Sequence, residues 1–598
     1  MSEKVNTAEA KVIEESKDQY RSACDDNVEW LTRAKESYQF YTGIQQWDTD
    51  VLDVLAKEGR PALQINLLMP IVNLLCGYQR QNRSDIKLYP RSSGSTAVAE
   101  LGSELIKHTM DVSGGIYEES DAFFDGVVCG KGWIGCDVNY LNDPLNGDIA
   151  VEKESPFAIL EDQKNRKYDI NQGDFVFKTW WWNKRQIELQ YPGKAKYIED
   201  STSAPEWIYD KIQDEGDYTE DLSSWEDEGQ RSKSQYRIRE RWYKKWEKCT
   251  FLIHIPTLSI KRLTGEQVEQ VKHKLALVGG NEFRIIDRPA PVLYKAVSSG
   301  DVLLEHIKDP FDGLNLFPFF RFCPYLADGY VFGVIDNLKD PMREVNKRRS
   351  QELHHLNLTV HSGWMVGDDS NEDAVRKLEQ FGSRPGVVIC PKHYGGSLER
   401  IEPGNRSIGY EALSALAAKD IQNISGINPS LLEQTPEPKE SGRAKMLRQQ
   451  AGLTVSEMIF DNWRRTQQAV GYFLWELIRT STIYTQEEIT AVVQEHNLKS
   501  FIRSDETGRE SVDLSAMRGW RLGRYGVKVS QSANVPTIRM ANYEMLLDAM
   551  KQGLPVPPEF LIELSDLPNK DEIISYLQKV SQLDKQRRQI TGAGQQYE

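Results

Sequence analysis

A glycine-rich segment is the first candidate for chemistry in this sequence. The phosphate-binding pattern G-x-x-x-x-G-K-[ST] nearly occurs from Gly126 to Gly132, but its spacing is one residue short and Gly132 lacks the hydroxyl that would hold a metal ion. We therefore interpret Gly130 and Gly132 as a tight turn that leads into a strand at Trp133. The sequence contains no H-E-x-x-H, G-x-S-x-G or dinucleotide-binding glycine motif.

Histidines and paired carboxylates are the second class of candidates. They are His354, His355 and His361, the pair Asp48 with Asp50, and the pair Glu161 with Asp162. The histidines have no carboxylate or thiol at ligand spacing to complete a metal site. The acidic pairs are of the type that holds Mg²⁺, but such pairs recur by chance in an acidic chain. We predict no catalytic residue, no metal and no cofactor, and keep a Mg²⁺-dependent nucleic-acid enzyme as an alternative.

Charge and composition narrow the class of protein. The chain has 598 residues, of which 39% are hydrophobic and 27% charged, values typical of a soluble globular protein. Its formal net charge of −15 excludes a protein that coats nucleic acid over its whole surface, but leaves room for a local or channel-like contact. The seven cysteines have no paired spacing, which favours reduced thiols in a cytosol-like compartment. No apolar run is long enough to predict a membrane span.

The elements that must position these residues form an α+β pattern. Apolar residues at steps of three, four and seven predict a helix over about 7–56, with further helices near 63–80 and 96–112. Short β-type runs between about 133 and 195 predict a sheet. Strands near 249–255, 257–262, 282–287 and 292–297, with a helix near 265–276, predict a small α+β insertion.

Two helices in the second half have clear signals. Asp340 as N-cap and Pro341 at the first helical position predict a helix that carries four basic residues. These are Arg343, Lys347, Arg348 and Arg349. After a loop rich in Gly and Pro, a helix from about 443 to 479 should be about 50 Å long, the length of a scaffold element.

Two adjacent segments have opposite charge. From Glu199 to Glu228 there are twelve acidic residues and one Lys, which predicts a solvated, partly disordered loop or a docking segment for a basic partner. From Arg231 to Lys248 eight basic residues are interleaved with aromatic ones. That pattern is typical of a strand with one solvated face, and a surface that stacks bases and pairs phosphates is the alternative.

Several blocks, in their order and spacing, resemble the signature of a known family. The N-terminal blocks are Tyr38-Gln-Phe-Tyr-Thr-Gly-Ile-Gln-Gln-Trp47, Gly59-Arg-Pro-Ala-Leu-Gln-Ile-Asn66 with Pro70, and Gly77-Tyr-Gln-Arg-Gln-Asn-Arg83 through Pro90. The later blocks are Ser155-Pro-Phe157 with Asp162, Tyr236-Arg-Ile-Arg-Glu-Arg-Trp-Tyr-Lys244, Phe317-Pro-Phe319, the run from Gly333 to Asn346, and Ser425-Gly-Ile-Asn-Pro429. Together they are similar to the portal proteins of tailed double-stranded-DNA bacteriophages of the short-tailed type.

The resemblance implies a portal-type fold, with helical stem and spine, and a ring, typically dodecameric, at one capsid vertex. The implied division is 1–235 for the first part of the wing, 236–330 for the clip with flanking strands, 331–357 for the stem helix, 358–535 for the second part of the wing with a tunnel loop at 425–443 and a spine helix at 443–480, and 536–598 for the crown. Some relatives carry a long C-terminal helical barrel, for which this sequence leaves no room.

The resemblance also implies partners and a location. A terminase motor and a head-to-tail adaptor would meet the clip at 249–310, and the ring would contact the major capsid and scaffold proteins. Double-stranded DNA would pass through the channel during packaging and ejection, without any membrane. The ring would be assembled in the host bacterial cytoplasm and reside in the virion.

The same mapping gives candidate DNA-facing residues. They are Arg343, Lys347, Arg348 and Arg349 on the stem helix and Lys439, Arg443 and Lys445 at the tunnel loop. A channel that lets DNA slide must not bind phosphates strongly, because each neutralised phosphate adds affinity through counterion release. Net acidity with a few basic belts therefore suits passage. Ion pairs between subunits are the alternative role for the stem set, and a capsid-lining or tail-adaptor protein is a further alternative function.

Overall fold

The structure is a computed structural model in which part of the chain is described. It describes most of residues 7–198 and 235–366, residues 409–426 and 456–480, and shorter pieces between 398 and 562. Outside the described residues lie the acidic stretch 199–228, the loop 427–443 with Lys439, the first part of the predicted spine helix with Arg443 and Lys445, and nearly all of 536–598.

The described helices largely follow the apolar periodicity. They are α1 (Thr7–Thr42), α2 (Thr49–Lys57), α3 (Leu68–Gln81), α4 (Thr96–Val112), α5 (Gly115–Cys129), α6 (Lys184–Gln190), α7 (Ala195–Ile198), α8 (Lys339–Val360), α9 (Gly409–Ser425) and α10 (Glu457–Thr480). The prediction for 96–112 is confirmed by α4. The single helix predicted over 7–56 is wrong: α1 ends at Thr42, because Gly43 adopts a left-handed φ of +73° that stops it.

Other helix boundaries also differ from the prediction. α3 begins at Leu68 rather than near 63. The sequence pattern does not predict α5, which is delimited by left-handed glycines, Gly114 and Gly130. α8 begins at Lys339, so Asp340 lies in its first turn rather than at its N-cap, and a short 3-10 helix (Ile335–Leu338) precedes it. These ends depend on single backbone conformations that apolar periodicity does not encode.

The strands confirm the predicted sheet and the α+β class. They are β1 (Ser84–Arg91), β2 (Gly132–Asn139), β3 (Asp148–Glu154), β4 (Ile159–Glu161), β5 (Phe175–Asn183), β6 (Gln235–His254), β7 (Ser259–Leu263), β8 (Phe283–Ser299), β9 (Val302–Lys308), β10 (Phe319–Phe322), β11 (Tyr325–Ala327), β12 (Tyr330–Phe332), β13 (Trp364–Val366), β14 (Leu398–Arg400), β15 (Ile502–Ser504), β16 (Glu510–Val512) and β17 (Arg524–Gln531). The predicted turn at Gly130 and Gly132 does lead into a strand, β2. Gly132 is required there, because an added Cβ would lie 1.9 Å from the Ala122 carbonyl oxygen of α5.

The largest sheet has the strand order β4-β5-β6-β8-β9, with β7 also paired to β6. β6 and β8 pair antiparallel without interruption from Arg239↔Ser298 to His254↔Phe283. The two strands predicted at 282–287 and 292–297 are therefore one strand, β8, and the strand predicted near 249–255 is the end of β6.

β6 differs from its prediction in burial as well. Residues 238–243 are buried on both faces, so the expectation of one solvated face is wrong there. On one face Ile238 packs against Ile187 and Ile198 of α6 and α7. On the other face Tyr243 belongs to the core that α1 closes with Tyr20. A central strand covered by helices on both sides leaves no face for water.

A second hydrophobic core lies between a small sheet and helices α3, α4, α5 and α10. β10, β2 and β3 form a three-stranded antiparallel sheet, and α3, α4, α5 and α10 contribute to one hydrophobic cluster with it. β1 pairs antiparallel with β17 over eight residues, from Ser84↔Gln531 to Arg91↔Arg524. Two segments more than 430 residues apart in the sequence therefore pair in one sheet. α10 packs against this sheet through Gly471, whose position is close to Ile86.

Candidate nucleic-acid interface

The base of α8 is fixed by a buried ion network. Lys339 is 4% exposed, and its Nζ lies 2.9 Å from Glu36 Oε2 and 3.0 Å from Asp336 Oδ1. The same amine donates to the Arg33 carbonyl oxygen at 2.8 Å. Asp336 also accepts hydrogen bonds from the Ser37 hydroxyl at 3.0 Å and from the Gly333 N–H at 2.8 Å. α1 thus holds the first turn of α8 in one orientation.

The middle of α8 is fixed to an extended segment of the N-terminal region. Asn346 Oδ1 accepts a hydrogen bond from the Ile65 N–H at 2.8 Å, and Ser350 Oγ accepts one from the Leu63 N–H at 2.8 Å. Trp47 Nε1 donates to the Leu63 carbonyl oxygen at 2.9 Å. Since backbone groups shielded from water need partners, these side chains satisfy a segment that pairs with no strand in the described part of the chain. Three of the blocks that carry the family resemblance therefore meet at α8.

The four basic residues of α8 are spread around its axis. At 3.6 residues per turn, Lys347 lies about 40° from Arg343, whereas Arg348 lies about 140° away and Arg349 about 120° away in the other direction. Met342, Val345, Asn346 and Ser350 form the buried face. The helix therefore presents one shared edge, Arg343 with Lys347, and two separate positions.

Three of the four basic side chains pair with carboxylates of the same chain. Arg343 Nη1 lies 2.9 Å from Asp340 Oδ1, and its other terminal nitrogen contacts Glu36. Arg348 Nε lies 2.6 Å from Glu344 Oε1, and Arg349 Nη1 lies 3.9 Å from Glu352 Oε2. Lys347 is exposed and has no ion-pair partner among the described residues. The unneutralised positive charge of α8 is thus concentrated at Lys347.

The acidic pair Glu161 with Asp162, a candidate of the type that holds Mg²⁺, lies in the core, where cations and backbone N–H groups of the protein contact it. Glu161 Oε2 lies 2.6 Å from Arg321 Nη1, Glu161 Oε1 lies 3.1 Å from Lys131 Nζ, and all three side chains are at most 5% exposed. Burial alone would raise the pKa of Glu161, but the two cations hold it below its usual value. Asp162 accepts hydrogen bonds from the N–H groups of Lys164 at 3.0 Å and Asp174 at 3.2 Å.

The remaining catalytic candidates are the pair Asp48 with Asp50 and the histidines on or near α8. Asp48 precedes α2 and Asp50 lies in its first turn, and Asp48 lines an open cleft of about 170 Å³ with Glu36, Trp47 and Arg343. His354 and His355 lie on α8, and His361 is outside the described residues. Within the described ranges no group of three His, Cys, Asp or Glu side chains could hold a metal ion.

A buried carboxylate that the sequence pattern does not reveal joins α5 to α10. Gln467 Nε2 donates to Glu119 Oε2 at 2.9 Å, and burial raises the pKa of Glu119 to about 7. Glu119 Oε1 and Gln467 Oε1 are both buried without a donor. A proton on Glu119 supplies the donor that these two oxygens lack. The two residues are 348 positions apart in the sequence, so no local sequence pattern predicts their contact.

The family model described as phage P22-like portal protein matches residues 17–598. No curated protein matches the chain. One solved structure, titled virion of native gene transfer agent particle, is 10% identical with a TM-score of 0.23 and covers 54% of this chain and 76% of its own, a likeness too weak to carry an argument.

The family match extends over nearly the whole chain and includes every block that carried the resemblance. None of the described helices is long and apolar enough to cross a membrane. The blocks from Tyr38 to Asn66 and from Gly333 to Asn346, distant in sequence, are hydrogen-bonded to each other around α8. The chain belongs to the phage P22-like portal protein family and has a portal, or connector, role in the virion.

Proposed function

We propose that this portal protein assembles into a homomeric ring of about a dozen subunits at one capsid vertex, with α8 beside a central channel for double-stranded DNA. The observation that carries the DNA contact is the contrast on α8 between a fixed inner face and an exposed Lys347 without a carboxylate partner in the described chain. Contacts of Lys339, Asn346 and Ser350 fix the orientation of α8, and so the place on the helix surface from which Lys347 extends.

The ion pairs of the other stem residues support passage rather than retention of DNA. Arg343, Arg348 and Arg349 each have a carboxylate nearby, which lowers the local positive potential that DNA would meet. A phosphate can still exchange with an exposed carboxylate, because exposed pairs are worth little. Lys439, Arg443 and Lys445 complete the proposed DNA-facing set. The protein has no active site of its own in this proposal.

The clip, 249–310, is the proposed docking surface for terminase and the head-to-tail adaptor, within the unit 236–330. Its described core is the long β6–β8 ribbon. Trp246 of β6, in the flanking part of this unit just before the clip, is 74% exposed and lies opposite Pro291 of β8. A large exposed aromatic on a strand supports a binding role, since such residues anchor interfaces. The wing, 1–235 with 358–535, and the crown, 536–598, are proposed to meet the capsid and scaffold proteins during assembly in the host cytoplasm.

The first experiment measures the assembly itself. Native mass spectrometry with negative-stain imaging of the purified protein should show a closed ring of about a dozen subunits with an axial hole. A stable dimer that cleaves DNA with Mg²⁺ would contradict the proposal.

The second experiment tests the DNA contact. Lys347→Ala should reduce retention of packaged DNA and lower the salt dependence of DNA binding by the ring, because one phosphate contact is lost. Lys107→Ala, which removes an exposed lysine from α4, is the matched control and should leave both unchanged. Equal behaviour of the two variants would show that α8 does not face DNA.

A further inference from the structure

Two arginines lie inside the protein between α1 and the largest sheet. Arg239 and Arg241 are two residues apart on β6, so their side chains point to the same face. That face is covered by α1, and the two residues are 8% and 2% exposed. The guanidinium of Arg239 lies over the ring of Tyr20 at 5.0 Å, and that of Arg241 over the ring of Tyr243 at 4.0 Å.

Among the described residues, neither arginine has a carboxylate in ion-pair contact. No hydrogen bond or ion pair of Arg239 or Arg241 occurs within the described chain, and Nε of both residues and Nη1 of Arg241 are buried without an acceptor. Glu15 of α1 acts on Arg241 electrostatically, but its carboxylate pairs with Lys245 Nζ at 3.3 Å. Tyr243 Oη is also engaged, since it lies 2.9 Å from His306 Nε2.

A buried guanidinium without an acceptor is strongly unfavourable, because it has lost its hydration and gained no hydrogen bond. The aromatic faces return only part of that loss. Burial lowers the pKa of Arg241, the expected sign for a charge whose hydration is not replaced, although an arginine stays charged at neutral pH. The other buried arginine described above, Arg321, has Glu161 at 2.6 Å. In the described part of the chain, the pair on β6 has no equivalent of that carboxylate.

We propose that Arg239 and Arg241 form an internal binding site for a small oxyanion, of the size and charge of inorganic phosphate, between α1 and β6. Guanidinium groups present paired N–H donors in a fixed fork, which suits two oxygens of one tetrahedral anion. Two such groups on one face supply more donors and charge than a single carboxylate could satisfy. The phosphates of duplex DNA are excluded, because α1 covers the site.

The site is tested on the full-length chain with inorganic phosphate as the probe. Phosphate should raise the Tm relative to chloride at equal ionic strength, and equilibrium dialysis should show saturable binding. Arg241→Met and Arg239→Met should abolish the phosphate-dependent shift. Arg241→Lys, which keeps the charge but loses the fork, should bind phosphate roughly tenfold more weakly. Arg185→Met removes an exposed arginine of α6 and should behave like the unchanged protein.

Each outcome decides the proposal. A short DNA duplex at the same phosphate concentration should change the Tm of Arg241→Met and of the unchanged protein by the same amount, because its phosphates cannot reach the site. If free phosphate neither binds in dialysis nor shifts the Tm of the unchanged protein, the proposal is wrong. It is equally wrong if the shift persists in both methionine variants. If one methionine variant does not fold, the other variant and the dialysis of the unchanged protein still test the proposal.

Discussion

The stem helix and the central strand both carry closely spaced arginines, in opposite settings. On α8 the arginines are partly exposed and each pairs with a carboxylate, as Arg348 does with Glu344 at 2.6 Å. On β6 the arginines at 239 and 241 are buried and unpaired in the described chain. The arginines of α8 are thus neutralised although water could screen them, whereas Arg239 and Arg241, shielded from water, have no carboxylate partner among the described residues.

The contrast shows that a basic run in the sequence does not fix its electrostatic role. On α8 carboxylates three or four residues away are within reach because a helix brings those positions together. On a strand, residues two apart share a face and both are basic at 239 and 241, so a partner must come from another element. Arginine therefore contributes to a surface of reduced positive potential on α8 and to a candidate anion-binding site on β6.

The largest expected effect on stability comes from removing the carboxylate that Arg321 and Lys131 share in the core. Glu161→Gln leaves Arg321 and Lys131 buried without a carboxylate, and should cost about 3–5 kcal/mol of unfolding free energy in a urea titration. Glu152→Gln, at an exposed position of β3, is the control. Because the pKa of Glu161 is lowered on folding, its contribution is present above pH about 4.5 and lost as the pH falls further. A loss within about 1 kcal/mol would show that water reaches this cluster.

A smaller effect of opposite pH dependence is expected at Glu119. Its pKa rises from 4.5 to about 7 on folding, so the folded state keeps a proton that the unfolded state loses, and stability falls as the pH rises from about 4.5 to 7. Glu119→Gln supplies an amide donor for Gln467, and should raise stability above pH 7 by about 3 kcal/mol at most.

The measurement for this prediction is the unfolding free energy as a function of pH. The profile of Glu119→Gln should be flatter than that of the unchanged protein between pH about 4.5 and 7. Glu100→Gln, an exposed change on α4, should keep the original profile. If both variants retain the same pH slope, then Glu119 is not the titrating group.

The smallest effect sharpens the comparison between the two arginine regions. Arg348→Met should change the unfolding free energy by less than about 1 kcal/mol, because an exposed ion pair on a helix contributes little. The same substitution at Arg241, in chloride without phosphate, should stabilise the protein, since it removes a buried charge and keeps the apolar stem. Parallel thermal unfolding of the two variants measures this difference. A large destabilisation at both positions would contradict the proposed difference between the two arginine regions.

The sequence predicts the elements of this fold better than their burial. β5, β2 and α4 follow from alternation and from three- and four-residue steps, because these patterns are local. The continuous β8 does not, since Pro289 and Pro291 argue against a central strand. These prolines face Lys248 and Trp246 across the ladder.

The site was predictable only in part. Basic residues on α8 follow from the sequence, but their partners do not all lie nearby: Glu36 of the Arg343 pair is 307 residues distant. The role of Glu161 does not follow from the sequence for the same reason, because its partner Arg321 is 160 residues away. A carboxylate in a sequence shows its type, and only the fold shows which cation shares its space.

The pairing of β1 with β17 has a consequence for how the chain is made. These strands lie about 430–450 residues apart in the sequence, so β1 leaves the ribosome long before its partner exists. At about 5–20 residues per second the delay is about 20–90 s, during which β1 is an open strand edge. Closing this sheet is therefore a late, slow step with a large loop-closure entropy. A chain that terminates early keeps the open edge, and so prematurely ended products are diverted to aggregation or proteolysis before they can join complete subunits.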